Sequence, residues 1–292
     1  MPHSQPDEVL TTDEYSIRAI DNCLREKSRL SLVTGSSGGI GSACARALAA
    51  EGCDVLLHYS ASREKAEALA TELRTKYPSQ LFVPVEADLS SRESTRNLVP
   101  SCLSHPAIAN KHQAISILVA NAGLGRRIRD PKDIGEDDWD ETLEVNMRSQ
   151  FVVTKACLLG MRTQGWGRVV LVGSIASRGG GLNGCHYAAS KGALCSMGLN
   201  LATLLAPEGV TVNMVLPAMI GGTGMITEPK SKTWRKDASL QSLMASDPGL
   251  AIAASVPVHR LGGPGEVSNV VTMFVKTGYM TGQEVVLAGG LK

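Results

Sequence analysis

Short runs of valine, leucine and isoleucine alternate along this chain with longer stretches in which apolar residues recur every three or four positions. The short runs predict strands at 30–34, 54–59, 81–86, 115–120, 168–172, 211–216 and 284–287. The longer stretches predict helices at about 40–50, 63–76, 92–103, 139–163, 187–206 and 266–275. Strand and helix in strict alternation imply βαβ crossovers. The expected fold is therefore α/β: a single doubly wound, Rossmann-type domain with a seven-stranded parallel sheet and helices on both faces. No internal repeat and no linker divides it.

Two segments fall outside this rhythm. Residues 1–28 are expected to be an N-terminal extension, partly disordered, with a short helix near 13–25 that carries Ile17, Ile20 and Leu24 on one side. Its acids, among them Asp7, Glu8, Asp13 and Glu14, do not suit an Arg-rich transit peptide, and it lacks the apolar core of a secretory signal. The cytoplasm is the expected location. Residues 29–292 then form the dinucleotide-binding catalytic domain. Within it, 218–256 is rich in Gly, Ser, Thr, Met and Pro and predicts a long irregular stretch. Such stretches in compact domains are usually functional, and this one is placed to be a substrate lid.

Composition narrows the function classes. A chain of 292 residues with 43% hydrophobic content suits one large domain, and a net charge of +1 gives no electrostatic case for nucleic acid or an anionic membrane. No apolar run approaches the ~18 residues of a membrane span. The seven cysteines form no CxxC and no metal-like spacing, so they predict buried thiols and no metal site. Only Arg126, Arg127 and Arg129 cluster as basic residues.

The segment "LSLVTGSSGGIGSACARAL" reads as strand, glycine-rich turn and helix. Gly35, Gly39 and Gly41 allow a tight turn and close approach of backbone to a pyrophosphate, which the helix N-terminus attracts. Ser42, not lysine, follows Gly41, so this is no nucleoside-triphosphate loop. An NAD site wants a carboxylate ~20 residues past the glycines. That count lands on Tyr59, while Asp54 opens the second strand at its wrong end and Glu64 lies in the next helix. Without an acid to repel it, a 2′-phosphate can be held by Ser60, Ser62 and Arg63, which favours NADP(H); alternatively Arg63 is only a surface helix residue.

Tyr187 and Lys191 stand four apart in "YAASK", and so share one helix face. A nearby ammonium favours phenolate and is expected to draw the tyrosine below its usual pKa of about 10. Taken alone, such a pair is common on solvated helix faces. His186 projects about 100° from Tyr187 and reads as pocket lining or structural. No GxSxG occurs, and Trp139, Trp166 and Trp234 read as packing residues.

In order along the chain come "TGSSGGIG" (34–41), "ADL" (87–89), "ANAG" (120–123), Asn146 in "LEVNMRSQF", Ser174 in "VVLVGSIAS", "YAASK" (187–191) and "LPAMIGGT" (216–223). From about residue 30 to 290 the chain resembles the short-chain dehydrogenase/reductase family. It is most similar to the branch of 3-oxoacyl-carrier-protein and polyhydroxynaphthalene reductases, through "VLLHYSASREKAEAL" and "HRLGGPGEV…YMTGQ". The resemblance implies that Tyr187 is the general acid that protonates the carbonyl oxygen during hydride transfer. Lys191 would lower the tyrosine's pKa and hold the nicotinamide ribose, Ser174 would donate to the same oxygen, and Asn146 would help hold a proton-relaying water. Gly35, Ser37, Gly39, Ile40 and Gly41 would cradle the pyrophosphate, with Tyr59, Ser60, Ser62 and Arg63 at the adenosine ribose. Asp88 and Leu89 would meet the adenine, Asn121, Ala122 and Gly123 line the wall, and Pro217, Ile220 and Thr223 reach the carboxamide. Four departures stand out: Gly38 where many NADP-using relatives place arginine, "ANAG" for "NNAG", Ala218 for the glycine after the proline, and a stretch between Phe274 and Tyr279 shorter than in most relatives, so that the last helix should end early.

For substrate, 175–186 and the lid offer Leu182, Cys185, Met219 and Met225 as apolar lining. They suit a β-keto ester, an acyl thioester, free or carrier-bound, or an aryl ketone. Arg126, Arg127 and Arg129 could greet an acidic carrier, or form a plain basic loop. The resemblance also implies a homotetramer, or a dimer, built on helices 139–163 and 187–206. The expected activity is an NADPH-dependent carbonyl reductase. Two other readings stay open: oxidation, dehydration or epimerisation on the same fold, and a non-enzymatic NADP(H) sensor, for which an intact Ser174–Tyr187–Lys191 set has no use.

Overall fold

The computed structural model describes residues 28–179, 183–235 and 239–291. The expected N-terminal helix near 13–25, and Leu182, lie outside these residues. Seven strands form one parallel sheet in the order β3-β2-β1-β4-β5-β6-β7. They are β1 (Leu30–Val33), β2 (Asp54–Tyr59), β3 (Phe82–Glu86), β4 (Ile117–Ala120), β5 (Gly167–Val172), β6 (Val210–Pro217) and β7 (Glu284–Leu287). Order reverses between β1 and β4, and in such sheets the ligand crevice lies at the carboxyl ends of the strands beside that switch.

Alternate strand residues feed two cores, because successive side chains point to opposite faces. Leu32 and Leu56 join one core, and their neighbours Val33, Val55 and Leu57 join the other. The second core is closed by α1 (Gly39–Ala50), α2 (Arg63–Lys76) and α10 (Pro264–Lys276), through Leu48, Leu73 and Phe274. The first is closed by α3 (Arg92–Ser104), α6 (Ser149–Thr163) and α7 (Cys185–Leu205), through Leu98, Val153 and Leu194. A short α4 (Pro106–Ala109) follows α3. Every residue of β1, β2, β4, β5 and β6 is buried, as a sheet covered on both faces requires.

Asp54 ties the amino-terminal edge of the sheet, away from the crevice. Burial alone would raise its carboxyl, but His112, Lys111 and the Leu81 N–H hold it below the usual carboxylate range. Leu81 N–H donates to it at 2.7 Å.

Two predicted elements change. The single helix expected at 139–163 begins at Glu136 as α5 (Glu136–Leu143) and widens into one π-helical turn, Glu144–Arg148, before α6 continues. The stretch expected to be irregular contains α8 (Leu240–Ser246) and α9 (Pro248–Ser255). Asp247 joins them: it closes α8 and caps α9 by accepting from Leu250 N–H at 3.1 Å. Leu243, Leu250 and Ala251 form a small separate core there, with Trp234 packed against it. Helices this short show too few turns to register as a period. Among the described residues, no helix is long and apolar enough to cross a membrane, and no group of acids, histidines or cysteines could hold a metal ion.

Candidate active site

The chain leaves β1 through Thr34 into a turn that needs glycine. Gly35 has φ +66°, and a Cβ on Gly41 would stand 2.2 Å from the Gly35 carbonyl oxygen. A Cβ on Gly39 would stand 2.0 Å from the Gly222 carbonyl oxygen. The turn is braced from β4: the Asn121 amide donates to the Thr34 and Gly35 carbonyls at 2.9 and 3.3 Å. The Thr34 hydroxyl accepts from Asn121 and Ala122 N–H at 2.9 and 3.0 Å. The first N–H groups of α1 lack helical partners and face the crevice, so the turn fits a diphosphate.

A cavity of about 520 Å³ runs over these strand ends. Gly35, Ser37, Gly39, Ile40 and Gly41 line it, as do Ser60, Ser62, Asp88, Leu89, Asn121, Ala122 and Gly123. At its other end stand Ser174, Tyr187, Lys191, Pro217, Met219, Ile220 and Thr223. Of the expected cofactor residues, Tyr59 and Arg63 do not line it. Tyr59 is buried and its hydroxyl donates to Glu86 at 3.1 Å, while Arg63 is exposed and donates to the same carboxylate oxygen at 2.8 Å.

Sequence reasoning missed His58. It lines the cavity, and its buried ring joins two walls: Nδ1 accepts from the Gly35 N–H at 3.0 Å, which leaves the proton on Nε2 to reach the Ala87 carbonyl at 3.0 Å. Burial holds its pKa down at about 4, although the Ala87 carbonyl pulls upward. The unfolded chain, with an ordinary value of 6.5, binds the extra proton first. This contribution to stability is complete above pH 6.5 and is lost as pH falls toward 4; its full size is about 3 kcal/mol. Urea unfolding at pH 7.5 and pH 5 is expected to show about 2 kcal/mol of that loss, and His58→Asn to flatten it. An equal pH slope in both proteins would remove His58 as the cause.

Ser174 follows β5 with its backbone extended, and its hydroxyl accepts from Ala176 N–H at 3.2 Å. Tyr187 and Lys191 lie on one face of α7, both buried. The expected drop in the tyrosine's pKa does not appear. Burial pushes the phenol above its ordinary value, and the Ser174 hydroxyl offsets this only in part. Lys191 is itself buried, which lowers its pKa to about 8. Its Nζ donates to the Val172 carbonyl at 2.9 Å and lies 5.9 Å from the Tyr187 ring centroid.

Asn146 sits in the π-helical turn, fully buried behind the cavity wall. Its Oδ1 accepts from Leu124 N–H at 2.7 Å, and its Nδ2 donates to the Leu124 carbonyl at 2.9 Å and to Ser190 Oγ at 3.1 Å. The Leu124 pair fixes which way the amide points. Ser190 Oγ donates in turn to the Tyr187 carbonyl at 2.8 Å. A Cβ on Gly123 would stand 3.2 Å from Asn146 Oδ1 and 3.4 Å from Lys191 Nζ, so the two groups converge on that glycine.

Cys185 turns away from this cavity and lines a shallow depression with Ile134 and Trp139. A residue two positions before Tyr187 is about 200° around the helix, which accounts for the divergence. His186 is buried, and neither ring nitrogen has a partner. Leu124, Glu141 and Val145 also line the cavity without having been anticipated, while Asn183, Met225 and Ile226 come from the two segments expected to form the pocket. The arginine cluster is partly spent within the chain. Arg126 pairs with Asp138 and Glu141, and Arg127 donates to the Met225 carbonyl.

Comparison with known proteins agrees with this geometry. Residues 29–234 match the family model for short chain dehydrogenases. The 3-oxoacyl-[acyl-carrier-protein] reductase of Aquifex aeolicus is 32% identical over 92% of this chain and 99% of its own. Nodulation protein G of Azospirillum brasilense is 31% identical over 90% of this chain and 98% of its own. Acetoacetyl-CoA reductase of Cupriavidus necator is 29% identical over the same shares, 90% and 98%. A glycine turn and a Ser–Tyr–Lys set on one crevice, in a chain aligned along nearly its whole length, make this protein an NAD(P)-dependent oxidoreductase of the short chain dehydrogenase family.

Proposed function

We propose that the chain is an NADPH-dependent ketoreductase that reduces a hydrophobic 3-oxoacyl, β-keto or aryl ketone to the alcohol. The observation that carries this is the convergence of Ser174, Tyr187 and Lys191 on the cavity that the glycine turn opens. Bound there, the nicotinamide supplies the hydride. The chain's own groups supply the proton and the placement. Burial keeps the Tyr187 phenol protonated through neutral pH, as a general acid needs to be. Ser174 stands beside it as a donor to the same developing oxyanion. Lys191, with a pKa of about 8, keeps its charge at pH 7 at the nicotinamide ribose. Asn146 acts from behind: it ties the Leu124 backbone to Ser190 and Lys191's turn of α7.

Ser60 and Ser62 reach the adenosine end, where no acid of β2 opposes a 2′-phosphate. At the other end Leu124, Val145, Met219, Met225 and Ile226 give an apolar lining that favours an acyl or aromatic group over a sugar phosphate. Two of the relatives are named for 3-oxoacyl and acetoacetyl thioesters, which supports that class. Arg126 is held by Asp138 and Glu141, so a free thioester is a better first substrate than a carrier-bound one. Met219, Met225 and Ile226 support the reading of their segment as a lid over this end, with Arg127 holding Met225 and Glu228 accepting from Gly222 N–H. Phe151 and Leu159 on α6, and Leu199 and Leu204 on α7, are exposed and support a homotetramer or dimer built on those helices. The described cysteines are all free thiols, as a cytoplasmic protein would keep them.

A screen of NADPH oxidation over 3-oxoacyl thioesters, β-keto esters and quinones tests the reading. Turnover on at least one class is expected, with C–C chain length altering KM more than kcat. NADPH binding without turnover in either direction on any of them would leave a sensor, not a reductase.

A further inference from the structure

We propose that Glu86 sets the choice between NADPH and NADH by holding Arg63 away from the adenosine end of the cavity. This rests on the NADP(H) reading above and deepens it. β2 carries no carboxylate at its carboxyl end, yet the folded sheet delivers one from the neighbouring strand. The parallel register sets Glu86 of β3 beside Tyr59, the last residue of β2. One oxygen of Glu86 accepts from the Tyr59 hydroxyl at 3.1 Å and from Arg63 Nη2 at 2.8 Å. Arg63 opens α2 directly after Ser62, which with Ser60 lines the cavity.

The three groups differ in freedom. Tyr59 is 4% exposed, so its phenol is a fixed anchor for the carboxylate. Arg63 and Glu86 have side chains 67% and 55% exposed, so their ion pair is in water and exchangeable. Toward a 2′-phosphate the carboxylate acts twice: it occupies the guanidinium that would clasp the phosphate, and it adds like charge nearby. Toward a ribose 2′-hydroxyl it does neither. Glu86 thus tempers a preference for NADPH that the serines and Arg63 would otherwise make steeper.

Fluorescence titration of the full-length chain with NADPH and with NADH tests this in wild type, Glu86→Gln, Arg63→Ala and the double variant. Glu86 is on the surface, so Glu86→Gln is expected to fold as wild type does, and Glu86→Ala provides a second neutral replacement. Glu86→Gln should tighten NADPH by about fivefold and leave NADH within about twofold, the size of one freed charge-assisted contact. In the Arg63→Ala background that gain should vanish. An unchanged NADPH:NADH ratio in both neutral variants would overturn the inference, and so would a gain that survives without Arg63. Binding of neither nucleotide by the wild type would overturn the cofactor reading itself, and this inference with it.

Discussion

Tyr187→Phe lowers kcat by about a thousandfold or more, the scale of losing a positioned general acid, while the Kd for NADPH stays within about twofold. The substitution removes one oxygen and keeps the ring that packs in α7. Tyr187 is 7% exposed, so solvent has little access to replace the lost proton donor. Ser174 remains, but its hydroxyl must be resupplied with a proton and gains none from phenylalanine. The wild-type profile should fall on the alkaline side near pH 8, where Lys191 loses its charge, and not at the higher value of the buried phenol. Steady-state rates from pH 6 to 10, with nucleotide binding measured alongside, decide both points. A variant that turns over at the wild-type rate would take the catalytic role from Tyr187.

The second large effect is expected at Gly41. Alanine there would ordinarily help α1 by about 1 kcal/mol, because glycine is a poor helix former. Here its Cβ would stand 2.2 Å from the Gly35 carbonyl oxygen and 2.8 Å from Asn121 Nδ2. Neither atom is the loose end of a flexible chain: one is backbone of the turn, the other the amide that braces it. Relief requires the turn to open, and overpacking of this kind typically costs about 1–3 kcal/mol. Gly41→Ala is therefore expected to weaken NADPH by about 100-fold, more than it changes thermal stability. Gly265, in the first turn of α10, has nothing within 4 Å of a Cβ and serves as control: Gly265→Ala should bind as wild type. Equal affinity of the Gly41→Ala protein would show that the turn does not need the close contact.

The parts of the molecule legible in the sequence are those set by local spacing. Strand positions follow from runs such as "DVLLHY", and the shared face of Tyr187 and Lys191 from one helical turn. The turn at Gly35 follows from backbone freedom alone. What stayed hidden depends on neighbours far along the chain. Glu86 reaches Tyr59 only through the register of β2 and β3, which neither strand states by itself. His58 reads as one polar residue in an apolar strand, and its two partners, Gly35 and Ala87, come from separate loops. The π-helical turn that carries Asn146 spans only five residues between two helices, too few to register as a break in the pattern, so the sequence reads as one helix. The direction of the Tyr187 shift was misjudged for a related reason. Spacing reveals the adjacent cation but not the depth at which both groups lie, and depth prevails here.

The contact between Gly39 and Gly222 joins two regions that a protein engineer would treat as separate modules. Grafting a lid from another reductase, to broaden the range of ketones accepted, would import a new side chain beside the first turn of α1 unless position 222 stays bare. Gly222 also has φ +67°, which discourages any other residue there. Chimeras should therefore join downstream of that glycine, so that substrate range is redrawn while the nucleotide's berth is inherited whole.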